Sequence, residues 1–410
     1  MVRKFYTIDD FDFGGRTVLL RVDFNSPVDS LTGGILDDSR IRAHVPTFED
    51  LVRKGAKVVV LAHQGRKGDP DFISLKPHAE ILGELLGRPV KFVDDVYGEK
   101  ARTAIRELKN GEILVLENVR FVAEEKANMP PEKLAETDFV RSLSGLADYY
   151  VNDAFSAAHR KDTSLVAFTQ VLPAAAGRIM EREVTTLDKV SKNPAKPAVY
   201  ILGGLKLEDT FAIIRHVFEG DIANRILVSG LIANMYLYAK GIDLGKVNNS
   251  LLDKKGLLSH ISSAKEVLNE FGDKIELPVD LAIDNDGKRM EINLDKLPVE
   301  KPIKDIGIKT IEKYSQILQD SKTIVLNGPA GVFEEENFAL GTRKLFEAVA
   351  NSKAFSLVGG GHTTAALHKF KMEKNVSYST VAGGAFIAYI SGEKLPAVEA
   401  LKKTYERDAR

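Results

Sequence analysis

Short runs of branched apolar residues alternate with amphipathic stretches along most of this chain, and that alternation narrows the folds open to it more than any other feature. Thr17-Val18-Leu19-Leu20-Arg21-Val22, Lys57-Val58-Val59-Val60-Leu61-Ala62, Val90-Lys91-Phe92-Val93, Glu112-Ile113-Leu114-Val115-Leu116 and Asp148-Tyr149-Tyr150-Val151 read as strands. Helical patterns fill 40–54, 76–86, 97–109 and 131–146 between them. Strands joined through helices of this length pair in parallel, which buries both faces of the sheet. A second series follows the polar, proline-bearing stretch Ser191-Lys192-Asn193-Pro194-Ala195-Lys196-Pro197. Its strands are 198–202, 225–228, part of 275–283, 323–326 and 354–358, with helices at 207–218, 231–239, 257–271, 307–319 and 338–350. The expected fold is α/β in two domains, each a doubly wound, mostly parallel sheet with helices on both faces. The boundaries expected are 1–178 for the first domain, 179–190 for a hinge helix and 191–395 for the second domain.

The 410 residues suffice for two domains of ordinary size. A net charge of −1 gives no general basic surface for nucleic acid or an anionic membrane. No apolar run reaches transmembrane length, and Met1 to Asp10 lacks the apolar core of a signal peptide. The absence of cysteine excludes thiol catalysis and cysteine metal sites. A cytoplasmic protein, more readily a monomer than an oligomer, is expected.

Function is read from where the polar residues fall. In open parallel sheets ligands bind outside the carboxyl ends of the strands. In the first half those ends carry Asp23, Asn25 and Arg40, then His63 and Arg66, then Asn118 and Arg120, then Asn152, Asp153, His159 and Arg160. Taken singly, Asp23 and Asn25 are good turn formers, a lone histidine is more often a core residue, and Arg160 beside Lys161 reads as a solvated pair. Their recurrence at four strand ends favours a pocket for a small, highly anionic substrate, because guanidinium groups hold carboxylate and phosphate bidentately.

The strand ends of the second half are rich in glycine instead. They read Gly203-Gly204-Leu205-Lys206, Asn327-Gly328-Pro329-Ala330-Gly331, Gly359-Gly360-Gly361-His362-Thr363-Thr364 and Ala382-Gly383-Gly384-Ala385. A glycine turn that opens a helix gathers backbone N–H groups and the positive end of the helix dipole at one point, which suits phosphate. Lys206 adds a mobile positive charge there. No Walker A and no GxGxxG pattern occurs. An anion pocket on one domain, phosphate loops on the other and a cleft between them is the layout of a kinase or ligase that closes to exclude water.

Several stretches then resemble the phosphoglycerate kinases in order and spacing. These are Arg21-Val22-Asp23-Phe24-Asn25-Ser26-Pro27, Asp37-Asp38-Ser39-Arg40-Ile41, His63-Gln64-Gly65-Arg66, Leu116-Glu117-Asn118-Val119-Arg120-Phe121, and Asn152-Asp153-Ala154-Phe155 through His159-Arg160. In the second half, Gly203 to Lys206, Asn327-Gly328-Pro329 with Gly331-Val332-Phe333-Glu334, and Gly359-Gly360-Gly361 match as well. The resemblance implies a hinge-bending enzyme that moves a phosphoryl group between ATP and 3-phosphoglycerate, with 1,3-bisphosphoglycerate and ADP as the other pair. By position it assigns Asp23, Asn25, Arg40, His63, Arg66, Arg120 and Arg160 to 3-phosphoglycerate, with Arg40 also aimed at the reacting carboxyl group. Lys206 would stabilise the phosphoryl group in flight. Glu334 would hold the ribose, and Gly203, Gly204, Asn327, Pro329, Gly359, Gly360, Gly361, His362 and Thr363 belong to the loops that would hold the nucleotide. It also implies that residues 396–410 return to the first domain.

Three positions depart from the family pattern: Thr210 stands where many members carry a second lysine, His362 where an aspartate helps to hold Mg²⁺, and Thr380-Val381-Ala382-Gly383-Gly384 where serine, threonine and three glycines are usual. They are similar to changes in archaeal-type members. Histidine suits Mg²⁺ poorly, so the metal is expected to rest on nucleotide oxygens and water, with no protein ligand assigned. An acyl-phosphate kinase for another small acid, and a binding protein that has lost catalysis, are the two other readings the residues allow.

Overall fold

A computed structural model describes residues 4–29, 31–204, 207–380 and 382–408, the side chains of 207 and 208 excepted. The chain forms two compact units, residues Met1–Thr185 with Lys394–Arg410, and residues Thr186–Glu393. The division falls within one long helix, Arg178–Ser191.

The first unit is built on six strands, β1 (Thr17–Arg21), β2 (Lys57–Leu61), β3 (Lys91–Phe92), β4 (Ile113–Val115), β5 (Tyr149–Asn152) and β6 (Ala174–Ala176). They lie in the order β3-β4-β2-β1-β5-β6, and every pairing is parallel. The chain leaves β1 toward β2 on one side and later returns to β5 on the other. Right-handed crossovers in two directions place helices on opposite faces. The burial follows: Val18 and Leu20 on one face of β1, and Leu19 on the other, are all fully buried. Phe48, Leu51, Ala79 and Leu82, from the helices Val45–Arg53 and Lys76–Leu86, close over the first of these faces. β6 has no branched residue and so gives no strand signal; three alanines let it lie close under the C-terminal helix Pro396–Asp408. That helix is tied to this unit by the Ala397 N–H on the Ala158 carbonyl and the Thr404 hydroxyl on the Thr169 carbonyl.

Among its described residues the second unit has nine strands, β7 (Ala198–Leu202), β8 (Arg225–Val228), β9 (Ile275–Glu276), β10 (Asp280–Asn285), β11 (Lys288–Asn293), β12 (Ile303–Ile306), β13 (Thr323–Asn327), β14 (Phe355–Gly359) and β15 (Tyr378–Ser379). Six of them make a parallel sheet in the order β15-β14-β13-β7-β8-β9. The remaining three form a small antiparallel sheet, β11-β10-β12. The expected single strand within 275–283 is thus two strands, of which only the first joins the parallel sheet. Two long helical expectations also divide. The pattern over 40–54 becomes Ser39–Ala43 and Val45–Arg53, broken at His44 ahead of Pro46. The pattern over 131–146 becomes Pro131–Leu134 and Asp138–Ser144, the second capped by the Thr137 hydroxyl.

Candidate active site

The strand ends of the first unit bring six of the seven expected anion-site residues into one network. Asp23 follows β1 and is buried; one of its carboxylate oxygens accepts from Arg40 and from the Ser156 hydroxyl, the other from the Asn25 N–H at 3.1 Å. Asn25 Oδ1 accepts from the Gly65 N–H at 2.8 Å, and the Gly65 carbonyl accepts from Arg120. His63 opens the loop after β2, with Nδ1 3.1 Å from Arg21 Nη2 and Nε2 3.3 Å from Arg160 Nη1. Arg66 is the exception. Its side chain is exposed, and nothing in the structure ties it to the others.

The electrostatics are those of a site awaiting an anion. Burial works to raise the Asp23 carboxyl, but His63, Arg40, the Ser156 hydroxyl and the Asn25 N–H together outweigh it and hold the group well below the usual carboxylate range. Burial pushes His63 well below its ordinary value; the guanidiniums of Arg21, Arg120 and Arg160 push the same way and overcome the attraction of Asp23. The imidazole is therefore neutral at pH 7. Burial lowers Arg120 too, with Arg160 and Arg21 adding repulsion, and its buried Nε has no partner. Cations that repel one another and carry unused donors are stabilised by a ligand with several anionic oxygens.

Arg21 was not among the expected binding residues, yet it sets the geometry of His63. Among the described residues it heads the largest fully buried side chains. Its Nε donates to Ser164 Oγ at 2.7 Å, Nη1 donates to the Val22 carbonyl, and Nη2 reaches His63 Nδ1. A guanidinium only donates; the shorter contact, 3.1 Å to Arg21, places the lone pair on Nδ1 and the proton on Nε2, so that Arg160 Nη1 at 3.3 Å faces a donor. The N–H groups of His63 and half-buried Arg160 then converge on one point, where an anionic oxygen completes both. Beyond Arg21, Ser164 Oγ donates to Glu125 at 2.7 Å. Glu125 is fully buried, and burial raises its carboxyl to about 7 against the pull of Arg21.

A second buried carboxylate links this rim to the long helix. Asp153, after β5, accepts from His44 Nδ1 at 2.7 Å, from the Thr47 hydroxyl at 2.8 Å and from the Ile179 N–H at 2.7 Å. His44 Nε2 in turn accepts the Asp23 N–H at 3.1 Å. The Asp153 carboxylate thus caps the start of Arg178–Ser191, where a negative charge meets the positive end of the helix.

The strand ends of the second unit surround a cavity of about 540 Å³. Gly203, Gly204, Asn327, Pro329, Glu334, Gly360, Gly361, His362 and Thr363 all line it. Gly359 ends β14 beneath the ring of Phe386, just behind the wall. Lys206 lies outside the described residues. The walls meet between β7 and β13, where the strand order reverses. There the Gly203 N–H donates to the Asn327 carbonyl at 2.8 Å. Gly328, at φ +99°, faces Gly203 so closely that a Cβ on either would strike the backbone opposite. Two glycines therefore shape a groove whose floor is peptide, and the N–H groups that begin the helix Gly361–Lys369 open into the same cavity. His362 is exposed, with Nδ1 4.0 Å from Glu334.

Among the described residues, no group of three or more histidine, aspartate or glutamate side chains could hold a metal ion, and no helix is long and apolar enough to cross a membrane. The carboxylates lining the cavity are Asp209, Asp305 and Glu334. Asp305 is committed elsewhere: it accepts from Arg289 and from the Gly341 N–H, each at 2.7 Å, and burial raises its carboxyl to about 6.

Comparison with known proteins gives one result throughout. The family model described as phosphoglycerate kinase matches residues 8–393. The phosphoglycerate kinase of Methanothermus fervidus is 48% identical over 404 residues, covering 98% of both chains. That of Methanothermobacter thermautotrophicus is 45% identical over 98% of this chain and 97% of its own. The crystal structure of the Pyrococcus horikoshii phosphoglycerate kinase superposes with a TM-score of 0.88 at 42% identity, over 98% of this chain and all of that one. The Coxiella burnetii enzyme, at 32% identity, reaches 0.85 over 97% and 99%. With a family match over nearly the whole sequence and relatives this similar along their full length, the chain belongs to the phosphoglycerate kinase family.

Proposed function

We propose that this chain transfers a phosphoryl group between ATP and the carboxylate of 3-phosphoglycerate, in either direction. The observation that supports it best is the pair of half-buried, mutually repelling guanidiniums of Arg120 and Arg160 beside neutral His63 and buried Arg21. One carboxylate would not need so many; a small acid that also carries a phosphate would.

In the direction of acyl phosphate formation, a carboxylate oxygen of 3-phosphoglycerate attacks the γ-phosphorus of ATP. A carboxylate oxygen–phosphorus bond forms, the bond from the γ-phosphorus to the β,γ-bridging oxygen breaks, and ADP leaves with its electron pair. The nucleophile is already deprotonated, so no general base is required; positioning and charge neutralisation carry the rate. Arg120, Arg160 and the Nε2–H of His63 hold anionic oxygens of the acid. Asp23 and Asn25 supply acceptors among these donors, which suits the hydroxyl of 3-phosphoglycerate. Arg66 joins them from its exposed position when substrate is bound. Arg40, held by Asp23, faces the reacting carboxyl group, and Lys206 neutralises the phosphoryl group in flight. The backbone around Gly203, Gly328 and Gly360 holds the nucleotide phosphates, and Glu334 the ribose. Mg²⁺ neutralises charge on the phosphates when bound. With no prebuilt cage, it fits as an ion that arrives on nucleotide oxygens and keeps its waters, Asp209 being the cavity's other carboxylate besides Glu334 and the committed Asp305. Both sites lie on one copy of the chain, so a cytoplasmic monomer is sufficient.

A coupled assay with the purified chain, MgATP and 3-phosphoglycerate tests the reading. Turnover is expected, and its absence with both substrates saturating would refute it. Arg40→Ala is expected to raise KM for 3-phosphoglycerate and to lower kcat by about tenfold or more, because its charge-assisted contacts bind the substrate and strengthen further in the transition state. An unchanged kcat would remove Arg40 from the chemistry.

A further inference from the structure

The cavity of the second unit has an end that the phosphate loops do not explain. Away from Gly360 and Gly328, beyond β8, its wall turns apolar: Leu231, Leu251, Leu281, Ile303 and Ile306 face it. One residue breaks this surface. Asn234, on the helix Gly230–Ala239 one turn after Gly230, lines the same cavity, is only 5% exposed, and its side-chain amide has no hydrogen-bond partner among the described residues. Lacking such a partner, this amide is left to be met by whatever fills the cavity, water or ligand, and asparagine is a weak helix former. Leucine at this position would extend the apolar wall and suit the helix better.

We propose that Asn234 is the base-reading residue of the nucleotide pocket, its amide pairing with the edge of an adenine held in the slot of Leu231, Leu251, Leu281, Ile303 and Ile306. The inference rests on the nucleotide reading above and deepens it. The distances agree: the loop after β14 and the helix after β8 are three strand positions apart, roughly 14 Å at the usual spacing, which is the span from a nucleotide's phosphates to its base. The chemistry agrees as well. Adenine offers its 6-amino donor beside a ring-nitrogen acceptor, and an asparagine amide offers an acceptor beside a donor. Guanine carries an acceptor at position 6 and can pair with a reversed amide, so a guanine nucleotide is a poor discriminator. The purine riboside diphosphate without the 6-amino group removes one partner and nothing else.

The test is calorimetric binding to the full chain, wild type and Asn234→Leu, with ADP and with that 6-deamino analogue. The wild type should bind ADP more tightly than the analogue. The variant should lose roughly 5- to 150-fold in ADP affinity while binding the analogue nearly as the wild type does, so the two ligands become equal. Should the leucine variant melt well below the wild type, Asn234→Ala removes the same groups without added bulk and carries the same comparison. An ADP affinity unaltered by the substitution, or an equal loss for both ligands, overturns the assignment while leaving the nucleotide reading intact. A wild type that binds neither ligand refutes the nucleotide reading itself.

Discussion

Replacing Lys206 with alanine is expected to lower kcat by about 10²–10³-fold, the scale of losing one preorganised charge donor at a transition state. KM for 3-phosphoglycerate should change little. The expectation follows from what else the nucleotide pocket contains. Among the described residues that line it, Lys304 is the one lysine, and Asp284 and Glu335 hold it at 2.8 and 2.7 Å. His362 is exposed and faces Glu334. Thr210 occupies the position where many family members have a second lysine, and among the described residues lining the cavity no unpaired lysine or arginine shares the load. A dissociative phosphoryl transfer spreads negative charge over three equatorial oxygens, and a group that meets that charge only in transit appears in kcat. Single-turnover measurement with both substrates bound separates this from product release. A variant that turns over within threefold of the wild type would assign the charge stabilisation elsewhere.

The two-domain architecture and most of the residues that gather at the two candidate sites were legible in the sequence because they follow from period and position. Uninterrupted runs such as Val58-Val59-Val60 can only be strands covered on both faces, and parallel pairing then sends every following loop to one rim. The segments that escaped have weaker signals. β6 is three alanines, whose small side chains do not favour a strand. The antiparallel sheet carried a clue in Asp286-Gly287, whose positive φ values of 54° and 82° fit the tight turn between β10 and β11. Its strand β11 is largely exposed, so no apolar run announces it. Asn234 lies in a helix that is otherwise nearly all apolar, and only the cavity wall shows its amide to be without a partner. Arg66 shows the opposite limit. Its motif marks it as a binding residue, but its side chain stands exposed and apart from the network. Arg21 is the most instructive case. It sits at the end of a strand, where a sequence gives no reason to choose between a rim cation and a buried one.

That buried position makes Arg21→Met the substitution with the largest expected effect on stability. Methionine fills much of the volume but leaves Glu125 buried without its cation, and Ser164 and His63 Nδ1 without a donor. Ser164 Oγ bridges Arg21 and Glu125 in place of a direct ion pair; stranding these buried groups costs about 1–3 kcal/mol, and a denaturation midpoint at pH 8 should show a loss of that size. The loss should also depend on pH in a defined sense. The Glu125 carboxyl titrates at about 7 in the folded protein against an unfolded value near 4.5. The folded state therefore binds this proton more tightly, and the associated stability is full at low pH and lost as pH rises toward 7. Without Arg21 the folded value moves higher still and the loss continues above pH 7. At pH 6 Glu125 is protonated in both proteins, so the destabilisation should be clearly smaller than at pH 8. The same substitution frees the tautomer of His63, so KM for 3-phosphoglycerate should rise by about tenfold, one charge-assisted hydrogen bond, with a smaller change in kcat. Arg21→Lys divides the two roles: a lysine restores a cation beside Glu125 but cannot reach Ser164, the Val22 carbonyl and His63 together, as the guanidinium fork does. It should recover much of the stability at pH 8 and little of the KM. A lysine variant that restores both in parallel would show that Arg21 acts through charge alone, without orienting His63.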